Sequence, residues 1–226
     1  RFTQRMREME KNASHILDIH THKSEEASHG RAIINYQLPV GGALCLSSFY
    51  SAGIHPWQLT ERDAEEQLAY LQKLLVEERL VAVGEAGLDK LTAAPMELQV
   101  RILGKQVELS EKYRLPLIIH CVKAMEELLA VKKEFRPVQP WIWHGFRGKP
   151  QQARQLMENG MYLSFGEHYP EQTVRTMPVD RMFLETDDSP VDIEEVLHRV
   201  ARTRGTDVEE LRQAIRENIQ KVFFRR

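Results

Sequence analysis

Residues 79–121 read RLVAVGEAGLDKLTAAPMELQVRILGKQVELSEKYRLPLIIHC. The run at 79–89 is short, nearly continuously apolar and bounded by charge. A strand buried on both faces reads this way. LPLIIHC at 115–121 repeats the pattern. Between the two runs, Pro95 suits a first helical turn, and Leu98, Ile102, Val107 and Leu109 follow at helical spacing. Strand, helix and strand form a βαβ unit, which implies a parallel sheet with a right-handed crossover.

The same grammar extends in both directions. Further apolar runs occupy 15–22 (HILDIHTH), 32–38 (AIINYQL), 43–55 (ALCLSSFYSAGIH), 140–146 (PWIWHGF), 161–167 (MYLSFGE) and 181–188 (RMFLETDD). Helical patterns are expected over 60–78, 123–135, 150–159, 192–204 and 207–223, the third closed by Gly160. About eight strands alternating with helices favour a TIM-type (β/α)8 barrel over an open sheet. The segment 23–54 departs from this. It offers turns at Pro39, Gly41 and Gly42 but no helix. The barrel is therefore expected to be abbreviated or distorted there.

Composition bounds the rest. The chain has 226 residues, 42% of them hydrophobic and 28% charged, which suits one packed core and excludes disorder as the main state. We expect a single domain over 1–226, with 1–14 peripheral. No 18-residue apolar stretch exists, so no membrane span is expected. A net charge of −2 excludes a protein that grips nucleic acid by bulk charge alone. Two cysteines, Cys45 and Cys121, argue against a disulfide framework, so a reduced, cytoplasmic protein is the expectation; a monomer is expected as well. GxSxG and P-loop patterns are absent.

The chemistry-bearing residues collect at the C-terminal ends of the runs. Asp18, His20 and His22 share one strand face, since side chains alternate with period two. A lone HxH is more often ordinary than metal-binding. Here Glu85 follows VAVG, His120 follows LPLII, His144 follows PWIW and Asp187 follows RMFLET. Taken singly, each is a core-edge histidine or a helix-capping acid. Taken together they converge on the barrel mouth where such folds build their sites. Imidazoles and carboxylates gathered there suit a divalent cation.

These motifs resemble the TatD family of metal-dependent deoxyribonucleases, within the amidohydrolase-like metal barrels. The resemblance is carried by DIHTH at 18–22, GIHPW at 53–57, GEAGLD at 84–89, IIH at 118–120, HGF at 144–146 and ETDDSP at 185–190. Gln99, Gln106 and ENIQKVF at 217–223 add to it. It implies two divalent ions (Mg, Mn, Zn or Fe). His20, His22 and Asp187 would hold the first, His120 and His144 the second, and Glu85 both. Asp187 and Glu85 would be catalytic, with Asp187 taking a proton from the attacking water. His55, Lys123 and Arg147 would contact the phosphates of a DNA substrate, presented as a single strand or an end. Lys123 stands where the family has arginine, Lys90 where it has an aromatic residue, and Asp188-Ser189 where it has Ala-Pro. Trp57 and Phe146 can stack a base, though core or rim packing is the plainer reading; Asp89 can cap a helix or support ligands. Cys121 is read as an inert thiol. A hydrolase of a small ester, lactone or amide on the same barrel, or a non-catalytic metal-binding scaffold, are the rival readings.

Overall fold

Each of the eight apolar runs carries one β-strand, the fifth ending one residue past its run. In the computed structural model, which describes residues 2–38, 42–45 and 47–224, these are β1 (Asp18–Thr21), β2 (Ala32–Tyr36), β3 (Phe49–Ala52), β4 (Leu80–Asp89), β5 (Leu117–Val122), β6 (Trp141–Trp143), β7 (Tyr162–Phe165) and β8 (Met182–Leu184). They follow one another in chain order around a closed parallel barrel, the TIM-type fold. The helices are α1 (Phe2–Ser14), α2 (Glu25–Ser28), α3 (Ala64–Leu74), α4 (Met96–Tyr113), α5 (Met125–Phe135), α6 (Pro150–Glu158), α7 (Glu171–Thr176), α8 (Ile193–Arg204) and α9 (Val208–Ile219). The abbreviation lies where it was expected. After β1 comes a helix of only four residues, and among the described residues no helix separates β2 from β3. The expected turn residues Pro39 and Gly41 lie outside the described residues. No helix among the described residues is long and apolar enough to cross a membrane.

The contacts divide the chain into two compact units. One comprises Arg1–Ile34, Leu44–Phe49 and His144–Arg226. Its interior holds Leu17, Ile19, Phe165 and Leu184, with Phe183 packed against Tyr162 and Phe223. Its last two helices begin on side-chain caps. Asp192 accepts from the Glu194 amide, and Asp207 from those of Glu209 and Glu210. Asn218, in the C-terminal ENIQKVF, donates to the carbonyls of Val179 and Met182 and so ties α9 to the start of β8. The N-terminal segment forms α1, largely exposed, whose end is held by Gln220 donating to the Ala13 carbonyl.

The other unit comprises Asn35–Ala43 and Tyr50–Trp143. Its centre is the β4–β5 pair, with Gly87 opposite His120 and Asp89 opposite Val122. Helix α4 is fastened to the end of β4 through Gln99 and to the segment after β3 through Gln106, two turns apart on one face. Both are buried. Gln106 accepts from the Ile54 amide at 2.7 Å and donates to the Ile54 carbonyl. Gln99 accepts from the Asp89 amide at 2.7 Å and donates to its carbonyl at 3.0 Å. Each glutamine thus occupies both polar groups of one backbone residue near a strand end. The backbone groups leading into His55 and at Asp89 are held by side chains instead of water.

Candidate metal centre

In the first unit, β1 and the residues after β8 build one cluster. The Asp187 amide donates to the His20 carbonyl and the His22 amide to the Asp187 carbonyl, both at 2.9 Å. This extends the β1–β8 pairing by one bridge, Thr21 to Asp187. Asp187 takes a left-handed conformation, φ 55°, which aspartate tolerates better than most residues. The result sets Asp187 Oδ1 3.2 Å from His20 Nε2 and 3.3 Å from His22 Nε2. Burial would raise the Asp187 pKa, but hydrogen bonds from His20 and His22 outweigh it and hold the carboxyl below the usual range. Asp18, the first residue of DIHTH, does not point into this cluster. It accepts from the His20 amide, the Thr186 amide and the Thr186 hydroxyl, the last at 2.6 Å, and so brackets the two segments that carry the candidate ligands. Its burial raises its pKa to about 7.

His144 follows β6 directly, and its ring centroid lies 4.4 Å from that of His20. A residue the sequence reading missed, Glu185, sets its orientation. Glu185 is fully buried. One oxygen stands 3.1 Å from His144 Nδ1; the other accepts from the Gly145 amide at 2.6 Å. A carboxylate accepts only, so His144 carries its proton on Nδ1 and presents the Nε2 lone pair. Donor atoms of His20, His144, Glu185 and Asp187 all lie within 4.8 Å of one another. An acid inside a fully buried strand end was the available signal for Glu185, because unpaired carboxylates are almost never buried.

In the second unit, Glu85 lies in the middle of β4, which continues to Asp89, and not at the C-terminal end of its run. Glu85 Oε1 stands 3.5 Å from both His55 Nε2 and His120 Nδ1. The two imidazoles are not equivalent. His120 Nε2 lies 2.9 Å from Asp89 Oδ2, so its proton sits there and Nδ1 offers a lone pair. His55 caps the 3₁₀ turn Pro56–Gln58 by accepting the Trp57 amide at Nδ1, 3.0 Å. Its proton is therefore on Nε2, which makes it a donor toward the cluster. Asp89 also accepts the Trp57 indole N–H at 2.7 Å and the Leu91 amide at 2.8 Å. These bonds overcome burial and hold its pKa low.

The donor sets fit a divalent cation. Two metal–ligand bonds of about 2.1 Å at a tetrahedral angle put donor atoms about 3.4 Å apart. The carboxylate–imidazole separations among the candidate ligands run from 3.2 to 3.5 Å. Mixed imidazole nitrogen and carboxylate oxygen suit Zn, Mn or Fe.

Of the expected phosphate contacts, Arg147 lines a cavity of about 230 Å³ with Asp187, Asp188, Glu167 and His168. Lys123 is exposed just past β5 with φ 54°. Phe146 is buried against Phe165, which removes it as a stacking surface, whereas Trp57 is 67% exposed. Lys90 is ion-paired with Glu127.

A model of the TatD-related DNase family matches residues 44–224. The chain belongs to that family. Its curated relatives in the TatD-related DNase family include the uncharacterized metal-dependent hydrolase YabD of Bacillus subtilis, 29% identical over 77% of each chain. Another is the 3′-5′ ssDNA/RNA exonuclease TatD of Erwinia amylovora, 27% identical over 76% of this chain and 77% of that one. Among solved structures, the TatD homologue YjjV of Escherichia coli superposes with a TM-score of 0.79 at 24% identity. It covers 95% of this chain and 100% of its own. This TatD-family fold, with its closed barrel and short 23–54 region, is the one expected from the strand runs.

Cys121, next to His120, is buried, and burial pushes its thiol up to about 12. Cys45 is partly exposed, and hydrogen bonds from Ser47 lower its pKa. Thiolate content controls thiol reactivity. Iodoacetamide on the native protein should alkylate Cys45 first and Cys121 only on unfolding, as read by peptide mass spectrometry. Equal labelling of both would contradict the burial assigned to Cys121.

Proposed function

We propose that this protein is a divalent-metal-dependent hydrolase that cleaves phosphodiester bonds of DNA, taking single strands or ends, through a dinuclear metal site. The observation that carries this reading is the hydrogen bonding of the histidines. His120 and His144 each have one ring nitrogen turned to a buried carboxylate and the other turned inward, the arrangement of metal-ligating histidine. In this reading His20, His22 and Asp187 would hold one ion and His120 and His144 the other, with Glu85 serving both. When bound, the ions supply Lewis acidity to the phosphoryl group and its attacking and leaving oxygens.

The chain's own residues do the rest. Asp187, ionised at neutral pH, accepts the proton of the attacking water, with Glu85 as the alternative acceptor. His55 donates from Nε2 to a phosphoryl oxygen. Arg147 and Lys123 hold flanking phosphates, and Lys123 does so as a point charge without the bidentate fork of arginine. Glu185 fixes the His144 ring. Glu185→Gln keeps the shape but weakens that orientation, so metal affinity should fall roughly 10- to 100-fold by metal titration. An unchanged affinity would remove Glu185 from this role.

A substrate panel tests the proposal against its rivals. Single-stranded DNA, duplex DNA, a nitrophenyl phosphodiester and a lactone are incubated with Mg, Mn or Zn. Cleavage of the first and third without the lactone supports it. Lactone turnover alone moves the function to small esters, and inactivity throughout favours a scaffold.

A further inference from the structure

Five large apolar side chains are exposed among the described residues: Met6, Trp57, Val76, Leu91 and Val138. Two of these five belong to residues bonded to one carboxylate, Trp57 through its side chain and Leu91 through its backbone. Asp89 Oδ2 accepts the indole N–H of Trp57 and Asp89 Oδ1 the amide of Leu91. The same Oδ2 meets His120 Nε2. The indole packs edge-on to the rings of His55 and His120, with centroids 4.8 and 5.8 Å away and planes 68° and 79° apart. Trp57 is nonetheless 67% exposed and Leu91 70%. Burial therefore does not explain the position of either side chain. The indole is held in one orientation by its N–H edge, while most of its surface remains in water.

A fixed, solvent-exposed aromatic face beside a phosphodiester site is a stacking platform, since every base presents a π-face. We infer that Trp57, with Leu91 beside it, receives an unpaired nucleobase next to the scissile phosphate, and that Asp89 positions the platform and His120 together. This inference rests on the phosphodiesterase reading and identifies which surface selects its substrate. In a duplex both faces of an internal base are covered by its stacked neighbours, so only a single strand or a frayed end can offer one. The pinned indole also keeps the ordering cost of binding small.

The test uses the full chain, stripped of metal, titrated with a short oligothymidylate and with the same strand carrying abasic residues. Binding is followed by fluorescence anisotropy of a label on the strand. In the parent, removing bases should weaken binding roughly 5- to 100-fold, the range expected for one to a few kcal/mol of stacking. Trp57→Ala should lose a similar factor on the oligothymidylate and almost nothing on the abasic strand. Trp57→Phe keeps a ring but lacks the indole N–H, so it should recover most of the loss. If Trp57→Ala weakens both strands equally, or Trp57→Phe fails as badly as alanine, the residue acts through Asp89 alone and the platform is overturned. A parent chain that binds oligothymidylate no better than the abasic strand overturns it too. Failure of the parent, with metal restored, to hydrolyse any oligonucleotide removes the phosphodiesterase reading itself, and the inference with it.

Discussion

Asp187→Asn should lower turnover roughly 10²- to 10⁴-fold at saturating metal, the usual worth of a general base. Asparagine keeps the size and one oxygen of the side chain, and it can still meet the imidazoles that Asp187 faces at 3.2 and 3.3 Å. It cannot take a proton at neutral pH. Metal affinity should fall only modestly, because His20, His22 and Glu85 remain in the proposed set. His144→Ala should behave differently. It removes a proposed ligand, so its activity should recover in part with excess metal. Steady-state rates measured across a metal titration separate the two effects. Near-normal turnover of Asp187→Asn at saturating metal would transfer the base role to Glu85.

Gly87→Ala should lower the melting temperature by about 10 °C and reduce metal binding with it. A Cβ built at Gly87 falls 1.7 Å from the His120 carbonyl oxygen and 2.7 Å from its carbonyl carbon. The obstacle is backbone of the neighbouring strand, so no side chain can swing away. Overpacking of this kind costs about 3 kcal/mol or more. For a chain of this length each kcal/mol moves the midpoint by about 2–4 °C. Relief requires β5 to shift where it carries His120, so the candidate ligand moves with the strand. Gly42→Ala is the control, since a Cβ there meets nothing within 4 Å. A thermal melt by circular dichroism checks both. A Gly87→Ala midpoint within about 2 °C of the parent would mean that the β4–β5 spacing relaxes more easily than the geometry allows.

The strands were legible because burial on both faces leaves nearly continuous apolar runs between charged or turn residues, and each run carries one strand. The helices with long apolar stripes were legible for a similar reason. Helix α7 was not. Its six residues, EQTVRT, hold one large apolar side chain, Val174, and so show no period. At the site, strand ends pointed to His20, His120, His144 and Asp187. Glu185 escaped because its partners, His144 and Gly145, lie about 40 residues away, and a long-range contact leaves no mark on local pattern. The separate characters of His55 and His120 were equally hidden. Both end apolar runs, and only the hydrogen bonds at their second ring nitrogens tell donor from ligand. Trp57 and Phe146 read alike beside their histidines, yet one is exposed and the other buried.

Hydrolysis of nucleic acid by this barrel should depend wholly on bound metal. The most direct measurement follows an end-labelled single-stranded DNA on a denaturing gel, first with protein stripped by chelator and then with Mn²⁺, Mg²⁺ or Zn²⁺ restored. The account predicts an intact strand with the stripped protein and shortened products once a divalent ion is returned, with Asp187→Asn nearly inactive under the same conditions. A strand left intact with every metal, or cut equally well in the presence of chelator, would contradict it.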